Sequence, residues 1–254
     1  MTDFSAIIHQ REGPVAIIRL NRLEKHHAIN RVMTIELIEC LDALEADDDV
    51  RVVVLTGAGE KAFCAGADMG EAVAGGMSDG RDGKDHAAQA AWRLAQVKKP
   101  LIAAVNGYAY GGGAIFAIAC DIRVASENAR FRFVGASYGL SVGASQLPRL
   151  VGAAIAKELI FTARTVDAEE AMRIGLVNRV VPLANLERAA MEMAAAIAES
   201  SPAAVRASKE VIDLATLDLD AVKREAEHNR ELRASDDHRQ RFRAAAERVT
   251  GGQA

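Results

Sequence analysis

The sequence predicts an α/β fold with a helical C-terminal region, and three observations carry that expectation. Two short apolar runs, VRVVVLTG and LIAAVNG, each end at a glycine turn; they are too apolar and too short for anything but strands buried on both faces. A β-branched pair of segments precedes them, and the chain after Pro202 is rich in Ala, Arg, Glu and Leu, which favours helix. With 254 residues, 50% of them apolar and 26% charged, the chain is long enough to bury a sizeable core as one large domain or as a domain with an appendage.

The elements follow in order. AIIHQ and VAIIRLN flank Arg11-Glu12-Gly13-Pro14, which is turn chemistry between two strands of a hairpin. From Asn30 to Ala46, Val32, Ile35, Leu37, Ile38, Leu41 and Leu44 recur at helical spacing, and Asp47-Asp48-Asp49 ends the helix. The runs at VRVVVLTG and LIAAVNG then alternate with helices, as in βαβ units with right-handed crossovers. Between them, the stretch from Gly75 to Gly83 combines glycine with charge and has no apolar period, so a mobile surface loop able to act as a lid is expected there. A helix over about Ala87 to Val97 follows, and Pro100 starts the next strand at a position proline tolerates.

Composition excludes some functions. A formal net charge of −4 without a long basic run offers no phosphate-tracking surface, so nucleic-acid binding is not expected. Cys40, Cys64 and Cys120 lack metal-ligand spacing, and their odd number cannot form a fully paired disulfide framework; a reducing cytoplasm suits them. The opening MTDFSAIIHQREGP lacks the unbroken apolar stretch of a signal peptide, and no segment reaches the roughly 18 apolar residues of a membrane span, so the expectation is a soluble cytoplasmic protein.

Two glycine turns are the candidate chemistry. In Gly57 to Asp68, the residues Ala65, Gly66 and Ala67 carry almost no side chain, so a ligand can approach their backbone. In Asn106 to Ala114, the triplet Gly111-Gly112-Gly113 leaves a strand and opens a helix, whose unpaired N–H groups favour negative charge. Two such donors converging on one oxygen would make an oxyanion hole; alternatively, the small residues simply allow tight helix-on-sheet packing. Neither turn has the phosphate-binding GxxxxGK[ST] pattern, and the triplet lacks GxGxxG spacing.

Several separate segments agree in order and spacing with one known family. LNRLEKHHAIN, AFCAGADMGE, PLIAAVNGYAYGGGAIFAIACDIRVAS, GLSVGASQLPRLVG, AEEAMRIGLVNRVVP and SPAAVRASKEVI together resemble the crotonase superfamily, within it the enoyl-CoA hydratase/isomerase family. The resemblance implies a ββα spiral core over 1–195 with an acyl-CoA site, and a helical oligomerisation or lid region over 196–254. It implies that the N–H groups of Ala67 and Gly112 bind the thioester oxygen, with Gly66 and Gly111 beside them. Lys25, Ala28, Ala65, Asp68 and Met69 would lie along the CoA, and Arg22 and Lys25 are cations suited to its phosphates. The ligand is then an acyl-CoA, with no metal or redox cofactor beyond the CoA moiety. Family members form trimers or dimers of trimers whose C-terminal helices cover a neighbour's site; the ending SDDHRQRFRAAAERV departs from the usual EKR-containing one.

The sequence departs from the family's pattern where a hydratase carries two glutamates. The position three residues after the second oxyanion glycine, on the same helix face, is Ile115, and the Pro-Glu pair after a phenylalanine-containing strand is replaced by Val134-Gly135. The loop that follows is about three residues shorter than GxxGGTQRLPR, and no aspartate stands near Gly143. Ordinary hydration should suffer severely, because general acid–base groups typically contribute ~10²–10⁴-fold, whereas carbonyl polarisation by backbone N–H groups needs neither carboxylate. Ile115, Val134, Gly135 and Tyr138 are the acyl-pocket candidates. Substitutes for the missing groups are Tyr138, Asp68, Cys64, and Asp79, Asp82, Asp85 and His86 of the glycine-rich loop; each has a plainer reading, Tyr138 as core or rim, Asp68 as a cap of backbone N–H groups, Cys64 as a small buried hydrophobe and the loop residues as solvated. Enzyme and non-catalytic acyl-CoA binder both remain open, with a structural oligomer subunit as a weaker option.

Overall fold

The computed structural model describes residues 4–73 and 86–251. Strands β1 (Ile7–Glu12) and β2 (Val15–Leu20) form the expected antiparallel hairpin. Helix α1 (Arg31–Ala46) follows, capped by Asn30, whose side chain accepts from the Met33 N–H at 2.9 Å. The two apolar runs are strands β3 (Val52–Gly57) and β5 (Leu101–Val105), adjacent and parallel in one sheet.

Each of these strands is followed by a second, shorter one. Strand β4 (Ala62–Cys64) follows β3, β6 (Tyr108–Tyr110) follows β5, and β8 (Arg130–Arg132) follows β7 (Ile122–Ser126). Helices α2 (Met69–Val73) and α3 (His86–Gln96) come after β4, and α4 (Gly112–Ala119) after β6. The chain thus winds as repeated ββα turns. Its first strands, with β10 (Arg179–Val181), build a sheet ordered β1-β2-β3-β5-β7-β10, parallel apart from the hairpin. Its second strands, with β9 (Thr165–Asp167), build a sheet ordered β4-β6-β8-β9. Sequence reading missed this second sheet, because its strands are three residues long and too short to show an alternation. The strand-to-helix turn expected over Asn106 to Ala114 accordingly contains β6.

Side-chain alternation in the larger sheet divides the core in two. Ala16, Ile18, Leu20, Val53, Leu55, Leu101, Ala103 and Val105 face the main cluster, which is shared with α1, α3 and α4. Val15, Ile17, Val52, Val54, Ile102 and Ala104 face the other way and are covered by Leu186, Ala189, Ala190, Ala194 and Ala198 of α7 (Leu186–Ala198). The two faces explain why these strands read as continuous apolar runs. Between β8 and β10 lie α5 (Leu147–Thr162), broken at Gly152, and α6 (Ala168–Arg173).

Among the described residues, only helices follow α7. These are α8 (Pro202–Thr216), α9 (Leu219–Arg233) and α10 (Asp236–Thr250), each started by a side-chain cap from Ser201, Asp218 and Ser235 respectively. Helices α8 and α9 bury none of their residues. Helix α10 lies over α2 and a 3₁₀ turn at Ala136–Tyr138 of its own chain. There the buried His238 donates from Nδ1 to the Tyr138 carbonyl at 2.6 Å and Phe242 meets the Tyr138 ring edge-on. The terminal helix thus has a docking surface within its own subunit. The anticipated loop from Gly75 to Gly83 lies outside the described residues, and no described helix is long and apolar enough to cross a membrane.

Candidate functional site

The two glycine turns meet at the ends of β4 and β6. The segment after β4 pairs with the loop after β2: the Ala65 N–H donates to the His26 carbonyl at 2.9 Å, the Ile29 N–H to the Gly66 carbonyl at 2.7 Å, and the Asp68 N–H to the Ile29 carbonyl at 2.9 Å. Successive amides of an extended segment point to opposite sides, so the Ala67 N–H faces away from Ile29. It faces the start of α4. Gly112 is the first residue of that helix, a position whose N–H has no partner within the helix. Among the described residues, no backbone hydrogen bond takes up the N–H of Ala67 or Gly112.

The proximity of the two segments depends on missing side chains. A Cβ on Gly112 would stand 3.8 Å from the Ala67 amide nitrogen, and one on Gly66 would stand 3.1 Å from the Gly112 nitrogen and 2.7 Å from the Tyr110 carbonyl oxygen. Gly66 also has φ +95°, a conformation that side chains rarely adopt. Ala67, Gly111 and Gly112 are half-buried, so the paired amides sit at an accessible lip of the fold.

A polar brace fixes the first turn. Arg22 donates to the Asp68 carboxylate at 2.9 Å and to the Ala28 carbonyl at 2.5 Å, and the other Asp68 oxygen accepts from the N–H groups of Gly70 and Glu71 at 3.1 and 3.3 Å. Asp68 therefore caps the start of α2, the plainer of the two roles expected for it. Behind the brace, His27 is buried; its Nδ1 accepts from the Arg22 N–H at 3.0 Å, so Nε2 carries the proton that is donated to the Ala58 carbonyl at 2.8 Å. Asn106, also buried, joins the two turns by donating to the carbonyls of Gly57 and Gly59 at 3.0 and 2.7 Å. Sequence reasoning missed both residues. His27 stands inside the matched loop and Asn106 ends a strand, but neither had a pattern that marked it.

Burial lowers the His27 pKa below the usual histidine value, outweighing the opposing bond to Ala58. The unfolded chain binds a proton at about pH 6.5 that folded His27 refuses until lower pH, so its contribution to stability is full above about pH 6.5 and is lost as pH falls below it. The expected result is a urea midpoint that declines from pH 7.5 to 5.5, with a His27 imidazole titrating below 6.5 by NMR.

The remaining predicted residues fall around this centre. Lys25 is exposed on the 3₁₀ turn Leu23–Lys25, Ala28 is buried, and Ala65 and Met69 are half-buried at the same edge. Ile115, one turn along α4 from Gly112, directs its Cδ1 towards Gly143, where an added Cβ would come within 2.8 Å of it. Val134 reaches Gly111, whose Cβ would meet Val134 Cγ2 at 3.1 Å. Gly135 is buried against Leu140 and Val142. Tyr138 lies further out, its ring against Phe242.

Cys64 has no exposure and donates from Sγ to the His27 carbonyl at 3.1 Å; burial pushes its thiol pKa up to about 12. The nucleophile reading is thereby set aside, since the thiolate is the reactive form. Cys40 and Cys120 are likewise buried, with thiols raised to about 12. The native protein is expected to resist a thiol reagent at pH 8 and to react fully in denaturant; a rapidly labelled native thiol would contradict this. Asp79, Asp82 and Asp85 and the side chain of His86 lie outside the described residues. Among the described residues, no group of three or more His, Cys, Asp or Glu is placed to hold a metal ion.

Comparison with known proteins gives this geometry a context. A family model described as enoyl-CoA hydratase/isomerase matches residues 10–249. A short-chain-enoyl-CoA hydratase of Clostridium acetobutylicum is 42% identical over 214 residues, covering 83% of this chain and 82% of that protein. Among solved structures, an enoyl-CoA hydratase/isomerase from Xanthobacter autotrophicus Py2 superposes with a TM-score of 0.88 at 31% identity, covering 99% of this chain and 96% of its own. A monofunctional enoyl CoA isomerase from M. smegmatis does so at 0.70 and 35% identity, covering 82% and 91%.

Proposed function

Because the chain belongs to the enoyl-CoA hydratase/isomerase family of the crotonase superfamily, we propose that it binds an acyl-CoA thioester with the carbonyl oxygen between the N–H groups of Ala67 and Gly112. The observation that carries this reading is the pair of neighbouring amides for which no backbone acceptor stands among the described residues, one at the end of an extended segment and one at a helix N-terminus. Both donors are backbone, fixed before the ligand arrives, and need no reorganisation as charge grows on the oxygen. They favour the enolate over the ketone form of the thioester, which acidifies the α-carbon and makes the β-carbon of an unsaturated chain more electrophilic. Lys25 and the Ala65 to Met69 edge would follow the CoA, while Arg22, engaged with Asp68, acts mainly by holding that edge in shape.

Hydration requires a proton delivered to the α-carbon and water activated at the β-carbon, and isomerisation requires a proton removed at one carbon and returned at another. At the two positions where the family pattern has glutamates stand Ile115 and Gly135. The reading therefore keeps acyl-CoA binding and carbonyl polarisation and omits ordinary hydration. It calls on no cofactor beyond the CoA moiety. The same two residues favour a second reading, a non-catalytic acyl-CoA binding protein that retains the pocket alone.

Isothermal titration with crotonyl-CoA, butyryl-CoA and free CoA, run beside hydration and isomerisation assays, tests both. Thioester binding tighter than free CoA is expected. Isomerisation without hydration supports the enzyme and turnover in neither assay the binder, while ordinary hydration of crotonyl-CoA contradicts the part of the reading that omits it, and no preference for the thioester over CoA contradicts both. A trimer, or a dimer of trimers, fits the exposed apolar Val211, Ile212 and Leu214 of α8 with Leu219 of α9, and a cytoplasmic setting fits the three unpaired thiols.

A further inference from the structure

We propose that α9 sets the length limit of the acyl pocket through Glu225 and Asn229, which act as positioning residues for the segment 139–146; this rests on the acyl-CoA reading above. Glu225 accepts from the Gly143 N–H with one oxygen and from the Ser145 N–H with the other, both at 2.7 Å. Asn229 accepts from the Ser141 N–H at 2.8 Å and donates to the Ser141 carbonyl. The two side chains are one helical turn apart on a single face of α9, and they hold alternate residues of the segment. This stretch belongs to no strand, so its backbone groups depend on such partners.

The clamp places the wall of the site. Gly143, at φ +83°, is brought so near Ile115 that a Cβ there would be 2.8 Å from Ile115 Cδ1, 3.8 Å from Ile118 Cδ1 and 3.9 Å from Phe133 Cδ1. Val142 closes in the same way on Gly135. On the acyl-CoA reading, a chain that runs from the carbonyl site past Ile115 and Gly135 meets this segment. Helix α9 buries none of its own residues, so its attachment here is polar rather than a by-product of core packing. A short acyl group fits the pocket as clamped, and release of the clamp makes room for a longer one.

The test compares wild type, Glu225→Gln and the double variant Glu225→Ala/Asn229→Ala. Affinities for butyryl-CoA and decanoyl-CoA are measured by titration, and amide exchange across 139–146 by mass spectrometry. Wild type should prefer butyryl-CoA, and the double variant should shift the ratio towards decanoyl-CoA by about tenfold. Its segment should exchange faster than in wild type while the central sheet stays protected. Glu225→Gln, which keeps one acceptor oxygen, should fall between the two and guards against a double variant that does not fold. Unchanged exchange overturns the clamp, and faster exchange with an unchanged ratio overturns its role in length selection. A wild type that binds neither thioester overturns the acyl-CoA reading and length selection with it, while exchange still reports on the clamp.

Discussion

Replacing Gly66 by alanine is expected to destabilise the protein by about 2–5 kcal/mol and to weaken acyl-CoA binding by about tenfold or more. Two costs add. The backbone at φ +95° is strained for any residue with a Cβ, and that Cβ would stand 2.7 Å from the Tyr110 carbonyl oxygen and 3.1 Å from the Gly112 nitrogen. Both neighbours are main chain, so relief requires the segment bearing Ala67 to move away from the start of α4. The substitution thus separates the two proposed carbonyl donors while leaving the residues that carry them unchanged. Gly70→Ala is the control: its Cβ would meet only Asp68 Oδ1 at 3.4 Å, an ordinary contact, and it lies within α2, where alanine is favourable. Urea unfolding and titration with butyryl-CoA check both variants. A Gly66→Ala protein as stable as wild type, with equal affinity, would contradict the account.

The second large effect is expected from placing glutamates at positions 115 and 135, where the resemblance implies that a hydratase carries them. In the double variant Ile115→Glu/Gly135→Glu, stability should fall by about 2–5 kcal/mol, with crotonyl-CoA hydration no faster than in wild type. Ile115 is half-buried with its tip against Gly143, so a glutamate there puts a carboxylate against the clamped segment. A Cβ at position 135 would sit 3.1 Å from the Leu140 carbonyl oxygen, from Val142 Cβ and from the Val142 nitrogen. On the proposed reading, two carboxylates and a water would have to share their room with this segment. Hydration rising by about a hundredfold or more, the scale of a working acid–base group, would show that the segment yields.

The central sheet was legible because its strands lie between two apolar layers, and alternating residues such as Val53 and Val54 serve opposite clusters. The hairpin and α1 were legible from turn residues and helical spacing. The second sheet was not: β4, β6, β8 and β9 have three residues each, and their pairing is fixed by the winding of the whole chain. At the site, the small residues around Ala67 and Gly112 announced a close backbone approach. The brace from Arg22 to Asp68 spans 46 positions and the clamp from Glu225 to Gly143 spans 82. Arg22 stood out only through its place in the matched loop, as a cation for the CoA phosphates, and Glu225 not at all, so their partners are seen only in the tertiary structure.

The carbonyl stretch of a bound thioester measures the proposed donor pair most directly. Crotonyl-CoA labelled with carbon-13 at the thioester carbon, mixed with excess protein, isolates that band by infrared difference spectroscopy. Two backbone N–H groups on the oxygen weaken the double bond, so the band should move to lower frequency on binding and return towards its solution value in Gly66→Ala. A saturably bound thioester whose carbonyl band keeps its solution frequency would contradict the placement of that oxygen between Ala67 and Gly112.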